Sequence, residues 1–278
     1  MVVNASENTL RNGAQASGPA VPQASAVIWH DLECGSYAAD LPLWRELASS
    51  AAASPEARAP SASVRVLDIG AGSGRVALDL ARHGHRVTAL DRDAELLAAL
   101  RERAAGMDLE IVCADARTFA LERRDFALCV VPMQTIQLLG GAAGRLELLR
   151  RARAHLAPGG VLACAIVTEL DPFDCYAGDL GPSPEIARVG ETSYISRPTR
   201  VQVGRRAVRI ERERSVLAPP RGGAAARPTR ERDVVELDRV SVAQLQREGR
   251  DAGLFTAGTR AIAATEEHTA STAAIFHV

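Results

Sequence analysis

Val64-Arg65-Val66-Leu67-Asp68-Ile69-Gly70-Ala71-Gly72-Ser73-Gly74 is an apolar run that ends in an acid, after which glycine recurs at every second position. The run predicts a strand, the glycines a tight loop, and the residues from Arg75 a helix. Glycine lets the backbone take positive φ and lets a ligand approach it closely, and the start of a helix exposes N–H groups suited to an anion. Asp68, Gly70, Ala71, Gly72 and Gly74 are therefore the first candidate binding residues. Arg75 stands where the dinucleotide pattern G-x-G-x-x-G needs its third glycine, so the match is to D-x-G-x-G-x-G instead.

Two further strands repeat the arrangement. Arg86 to Asp91 is a short apolar strand that again ends in an acid. In an open α/β sheet, ligands sit outside the carboxyl ends of the strands, so Asp91 and its neighbour Arg92 face the crevice. A carboxylate there can accept from both hydroxyls of a ribose, in a nicotinamide cofactor as well as in others. A helix from Ala94 to about Ala105 leads to a third strand, Leu109 to Ala114, followed by Asp115 and Ala116; Asp115 also suits the cap of a turn over Ala116 to Phe119. Phe126 to Val131 forms an unbroken apolar strand, which suits the middle of a parallel sheet. It delivers Val131, Pro132 and Gln134 to the same edge. A helix from Arg145 to Leu156 stops at Ala157-Pro158-Gly159-Gly160 and feeds a fifth strand, Val161 to Val167.

Composition narrows the function classes. The chain has 278 residues, 47% of them hydrophobic, and a formal net charge of −1. That is room for one large α/β domain with an insertion, and it gives no global field to gather nucleic acid or an anionic membrane. All 33 basic residues are arginine, which removes lysine Schiff-base and general-base chemistry. The five cysteines, Cys34, Cys113, Cys129, Cys164 and Cys175, form no C-x-x-C pair, and three of them fall in apolar strand-like runs, which suits buried thiols in a reducing compartment better than disulfides or a metal site. No apolar run of about 18 residues and no leader-like N-terminus is present, so a soluble cytoplasmic protein is expected.

Five segments follow. Residues 1–25 read as a mobile tail, 26–63 as a helical lid whose Leu43, Trp44, Leu47 and Ala48 share a face, and 64–168 as the binding core. Residues 169–240 read as a β-rich insertion, with a hairpin of Thr192 to Val203 and Arg205 to Leu217 turning at Gly204 and a further strand near Val234 to Val240. Residues 241–278 read as a closing helix, opened by the cap of Ser241, and a β-hairpin.

The D-x-G-x-G-x-G loop, with the Pro-Gly-Gly turn ahead of the fifth strand, resembles the class I S-adenosylmethionine (SAM)-dependent methyltransferases of the small-molecule type. The resemblance implies a doubly wound, Rossmann-like, seven-stranded α/β sheet of order 3-2-1-4-5-7-6. Its last strand is antiparallel, and the antiparallel β insertion lies between strands 5 and 6. It also implies that Gly70, Gly72 and Gly74 pass under the methionine end of SAM, that Asp115 and the Ala116 N–H meet the adenine, and that the loop after strand four faces the transferred methyl. Tyr37, in the lid, would lie near the cofactor. Val131-Pro132-Met133-Gln134 departs from the (Asp/Asn)-Pro-Pro-(Tyr/Phe) of nucleobase amine methylases, so the expected substrate is a small molecule, methylated on O, N or C with S-adenosyl-L-homocysteine as product. No nucleic acid or membrane partner is expected, and the protein would be a monomer or homodimer. A SAM-binding cyclase or decarboxylase and an NAD(P)-dependent oxidoreductase stay open as alternatives. His30, Tyr37, Glu169, Asp171, Asp174, Tyr176, Tyr194 and His268 are unranked candidates for a base, and His155 is expected at the surface or capping its helix.

Overall fold

The computed structural model describes residues 26–52, 63–219 and 228–278. The expected tail lies outside these residues, as do most of the Ser49 to Ser63 link and the middle of the loop after Leu217. The elements run α1 (Ala26–His30), a wider helical turn over Asp31–Gly35, α2 (Leu41–Ala52), β1 (Arg65–Ile69), α3 (Arg75–Arg82), β2 (Arg86–Asp91), α4 (Ala94–Arg103), β3 (Leu109–Cys113) and β4 (Phe126–Val131). Then follow α5 (Ala142–His155), β5 (Leu156–Ile166), β6 (Phe173–Asp174), β7 (Glu185–Val189), β8 (Thr192–Val203), β9 (Ala207–Leu217), β10 (Thr229–Asp238), α6 (Val242–Asp251), β11 (Phe255–Ile262) and β12 (Ser271–His277).

Seven strands form one sheet in the order β11-β12-β5-β4-β1-β2-β3. The five strands β1 to β5 are parallel, and β12 enters antiparallel between β5 and β11, so the order and strand direction are those expected. Both faces are covered, which is why these strands read as continuous apolar runs. Successive side chains alternate between the faces: Val66, Leu128 and Val130 pack with Trp44 of α2, Leu80 of α3 and Leu97 of α4, whereas Leu67, Ile69, Cys129 and Val131 pack with Leu148 of α5, Leu245 of α6 and Phe276.

Register places the strand ends at one level. Ile69 pairs with Leu90, Asp91 with Cys113, Asp68 with Val130, and Val131 with Cys164. Because the pairing of β12 with β5 begins at Thr272 opposite Ile166, the loop ahead of β12 emerges at the same edge. Asp93 caps α4, its carboxylate accepting from the N–H groups of Glu95 (2.9 Å) and Leu96 (3.2 Å). Ser241 caps α6 through Gln244 N–H at 3.2 Å.

The insertion is a second sheet, β10-β9-β8-β6, with β7 also paired to β8. The hairpin at Gly204 follows expectation, but β6 and β7 were not legible, and β10 begins at Thr229, well ahead of Val234. Glu231 lies opposite Arg214, Arg232 opposite Glu213 and Asp233 opposite Arg212. This stretch is held by cross-strand charge pairs and lacks an apolar alternation, so hydrophobic periodicity misses it.

Arg145 of α5 fastens the insertion to the core. It is 2% exposed and donates from Nε and Nη2 to both carboxylate oxygens of Glu248 on α6, each at 2.8 Å, and from Nη1 to Asp238 at the end of β10, also at 2.8 Å. Gln137 adds a neutral clamp, donating to the carbonyls of Val167 (3.0 Å) and Asp238 (2.9 Å) and accepting from Val167 N–H at 2.8 Å. Removing one member of a buried ion pair strands the other, at a cost of about 3–5 kcal/mol. Arg145→Ala is expected to lose about that much stability in urea unfolding, and a loss below about 1 kcal/mol would show that the cluster does not hold the two parts together.

Candidate functional site

The glycine loop takes the conformation its residues permit. Gly70, Gly72 and Gly74 have φ of 80°, 54° and 102°. Its amides, however, are spent internally: Gly70 and Ala71 N–H both donate to the Leu90 carbonyl (2.8 and 3.0 Å), and Gly72 N–H donates to Asp91 Oδ2 at 2.8 Å. The loop therefore offers close approach, not the free N–H groups expected of a helix start. Gly74 serves packing, since a Cβ there would lie 2.2 Å from Leu100 Cδ1.

Asp91 is fixed from two sides, with Asp93 N–H donating to Oδ1 at 2.9 Å as Gly72 does to Oδ2. Each carboxylate oxygen can accept two hydrogen bonds and here accepts one, so each keeps one lone pair for a ligand diol. Asp115 accepts from the N–H of Arg117 (2.8 Å) in the expected turn and also from that residue's guanidinium, Nη2 lying 2.6 Å from Oδ2. The Arg117 hydrogen bonds pull the Asp115 pKa down to about 2. Beyond β4, Met133 has φ of 52°, the one non-glycine residue among those described with a left-handed backbone. Such conformations persist where surrounding structure enforces them, often at ligand sites.

Asp68 is the most unusual group. It is fully buried at the end of β1, and neither carboxyl oxygen makes a well-formed hydrogen bond. Burial pushes its pKa up to about 7, against the pull of the Arg75 guanidinium, with Asp91 and Asp40 adding to the rise.

The N-terminal segment lies over the loop and is fastened at both ends. Arg75 donates from Nη1 and Nη2 to Asp40 (2.5 and 2.8 Å) and from Nη1 to the Tyr37 carbonyl (2.8 Å), with its guanidinium 5.1 Å from the Tyr37 ring centroid. Asp31 accepts from Ser73 Oγ at 2.6 Å and from Arg103, and His30 Nδ1 lies 3.1 Å from Ser73 Oγ. Toward the insertion, Glu33 accepts two 2.8 Å bonds from Arg214 and one from Ser196 Oγ, while Trp29 meets Tyr194 edge-on at 5.6 Å.

These parts enclose a cavity of about 580 Å³. Among the expected residues, Tyr37, Asp68, Gly70, Ala71, Asp91, Arg92, Asp115, Ala116, Pro132 and Gln134 line it. Gly72, Gly74 and Val131 do not: Gly72 orients Asp91, Gly74 packs on α4, and Val131 points into the core with α5. Of the base candidates, His30, Tyr37 and His268 reach the cavity, and Glu169, Asp171, Asp174, Tyr176 and Tyr194 do not. His155 is not a surface residue; it is 1% exposed, with Nε2 accepting from Leu121 N–H at 2.9 Å and its ring against Phe119. Glu33, Glu185, Arg212 and Glu267 also line the cavity and were not among the expected site residues, because in sequence they look like the solvated charges around them. Cys34 also lines the cavity, but burial pushes its thiol up to about 11, so it stays protonated. No group of three or more potential metal ligands occurs among the described residues.

The cavity's polar groups fit SAM. An orphaned carboxyl at Asp68 suits an ammonium, the free lone pairs of Asp91 suit a ribose diol, and Leu90, Leu96 and Ala116 supply apolar walls for a purine.

The fold is that of the class I SAM-dependent methyltransferases, and residues 66–160 match the model of the methyltransferase domain family. Among curated proteins, a probable cobalt-precorrin-6B C(15)-methyltransferase (decarboxylating) of Methanothermobacter thermautotrophicus is 33% identical over 123 residues, covering 41% of this chain and 59% of the relative. The chain thus spans little more than half of that relative's length. Among solved structures, the sugar N-methyltransferase KedS8 from Streptoalloteichus aligns with a TM-score of 0.66 at 15% identity, covering 97% of this chain and 99% of the other. CalS10, an amino pentose methyltransferase from Micromonospora echinaspora, aligns with a TM-score of 0.62 at 21% identity over 92% and 99%. No helix among the described residues is long and apolar enough to cross a membrane.

The raised pKa of Asp68 has a signed consequence for the ligand-free protein. In the folded state the carboxyl stays protonated to about pH 7, whereas unfolded it ionises near 4, so its contribution to stability is present below pH 4 and is lost as pH rises toward 7. Asp68→Asn is expected to leave the melting temperature unchanged at pH 4 and to raise it at pH 8. Thermal unfolding across that range checks this, and a gain that is equal at both ends would refute it.

Proposed function

We propose that this protein transfers a methyl group from SAM to a small molecule in specialised metabolite biosynthesis, with an amine nitrogen as the favoured acceptor. The observation that carries the reading is the convergence of three strand ends, at Gly70 and Ala71, Asp91 and Arg92, and Asp115 and Ala116, in one cavity. The acceptor is favoured by the carboxylate of Glu267, which lines the cavity. It is also favoured by the sugar nitrogen and amino pentose named for KedS8 and CalS10.

The bound cofactor supplies an already activated methyl on a sulfonium. The protein's work is then to position and to exclude water. Asp68 would receive the amino acid ammonium, Asp91 the two ribose hydroxyls, and Asp115 with the Ala116 N–H the adenine edge. Asp115 takes this role once Arg117 yields one of its contacts. The lid, held by Arg75 and Glu33, closes the donor side, and β9 and β10 close the acceptor side with Ile210, Val235 and Leu237. Gln134, in the loop after β4, lines the same cavity and would be a polar contact for SAM or the acceptor.

Hydrogen bonds to a charged group contribute about 1.5–3 kcal/mol, so Asp91→Asn is expected to weaken S-adenosylhomocysteine binding by roughly 10- to 100-fold. Calorimetry with SAM and S-adenosylhomocysteine is the test. A folded wild-type protein that binds neither would end the proposal, and preferential binding of a nicotinamide cofactor would replace it with an oxidoreductase.

A further inference from the structure

Besides the residues assigned to the cofactor, the cavity contains more proton-accepting groups than the positioning of a substrate requires, and nearly all of them are already committed. Glu33 accepts two hydrogen bonds from Arg214 and one from Ser196, and Glu185 is paired with Arg212 at 3.3 Å. Tyr37 hydrogen-bonds with the Ser271 side chain, and burial raises its pKa. His30 is held by Ser73, with its Nε2 only 2.3 Å from where a Cβ on Gly72 would stand, so it belongs to the glycine loop.

His268 differs from all of these. It sits in the loop between β11 and β12, which the register of β12 on β5 brings to the carboxyl edge of the sheet. Its ring lies 4.7 Å from the Tyr37 ring centroid at an angle of 36°, and its backbone is pinned to Thr265, whose hydroxyl accepts the His268 N–H at 3.0 Å and whose N–H donates to the His268 carbonyl at 2.9 Å. The imidazole is therefore held in orientation from two sides, yet its Nε2 is buried and has no hydrogen-bond partner among the described residues. A buried polar nitrogen without a partner calls for a ligand or a function.

Building on the methyl-transfer reading above, we infer that His268 is the catalytic base, its Nε2 accepting the proton that the acceptor atom sheds as it takes the methyl group. The acceptor's lone pair forms the new bond to carbon, the carbon–sulfur electron pair returns to sulfur to give a neutral thioether, and the proton passes from the acceptor to Nε2 and then to water beside the exposed Glu267. Burial holds the His268 pKa below its ordinary value, so the ring is neutral near pH 7 and free to accept. Glu267 and Asp40 act against that shift, while Arg212 and Arg75 reinforce it. Glu185 lines the same cavity and is already bound to Arg212.

Sinefungin probes this position without any knowledge of the substrate, since it carries a primary amine where SAM carries its methyl. Calorimetry with sinefungin and with S-adenosylhomocysteine, on wild type, His268→Phe and His268→Gln, separates the possibilities. Wild type should prefer sinefungin, and this preference should fall as the solution is made acidic and the imidazole becomes a cation facing an ammonium. His268→Phe keeps a ring against Tyr37 and should hold S-adenosylhomocysteine within about twofold while losing about tenfold of the preference, and His268→Gln should recover part of it. If both ligands bind but the preference survives in His268→Phe, or is independent of pH, His268 is not the base. If neither ligand binds wild type, the methyl-transfer reading itself fails.

Discussion

Arg75 is the side chain on which the geometry of this protein depends. It occupies the first position of α3, directly after the glycine loop, where a cation is poorly placed against the helix dipole. The bidentate bond to Asp40, whose side chain is 1% exposed, offsets that disadvantage and ties the N-terminal segment across the mouth of the sheet. The same guanidinium lies beside Tyr37 and moderates the field on Asp68. The residue that departs from a dinucleotide fingerprint is thus the one that closes the site.

Much of this was legible from sequence. The parallel strands bury both faces and so appear as apolar runs, and the acids at their ends recur at the crevice because register aligns Ile69, Asp91 and Cys113. The hairpin at Gly204 was legible from its alternation. The short strands β6 and β7 were not, because two or five residues carry too little period. The contacts of the N-terminal segment were also hidden: Glu33 with Arg214 and Arg75 with Asp40 are separated by 181 and 35 residues, and in sequence each charge resembles a solvated one. Val131 and Gly74, which position alone also suggested, lie outside the cavity lining, Val131 in the core with α5 and Gly74 against Leu100.

The charged clusters share a chemistry set by composition. Arg75 with Asp40, Arg145 with Glu248 and Arg214 with Glu33 are all forked guanidinium–carboxylate contacts with two bonds each. In a chain whose basic residues are all arginine, tertiary joints can rest on planar, directional pairs that a lysine would not reproduce. Asp68 is the counterexample, a carboxyl buried without such a partner. It lowers the stability of the empty protein above neutral pH while keeping a strong acceptor ready in the cavity.

The second sheet leaves the chain at the end of β5 and returns at α6, and its joints to the rest of the protein include the side chains of Arg145, Gln137, Glu33 and Trp29. An architecture joined in this way can diverge in two parts at different rates. The parallel strands are constrained by register and burial on both faces, whereas β6 to β10 need only keep those joints while the surface between them drifts. Descent within such a lineage would then preserve shape over nearly the whole chain while little sequence survives, and new acceptors would arise by rewriting the appended sheet alone.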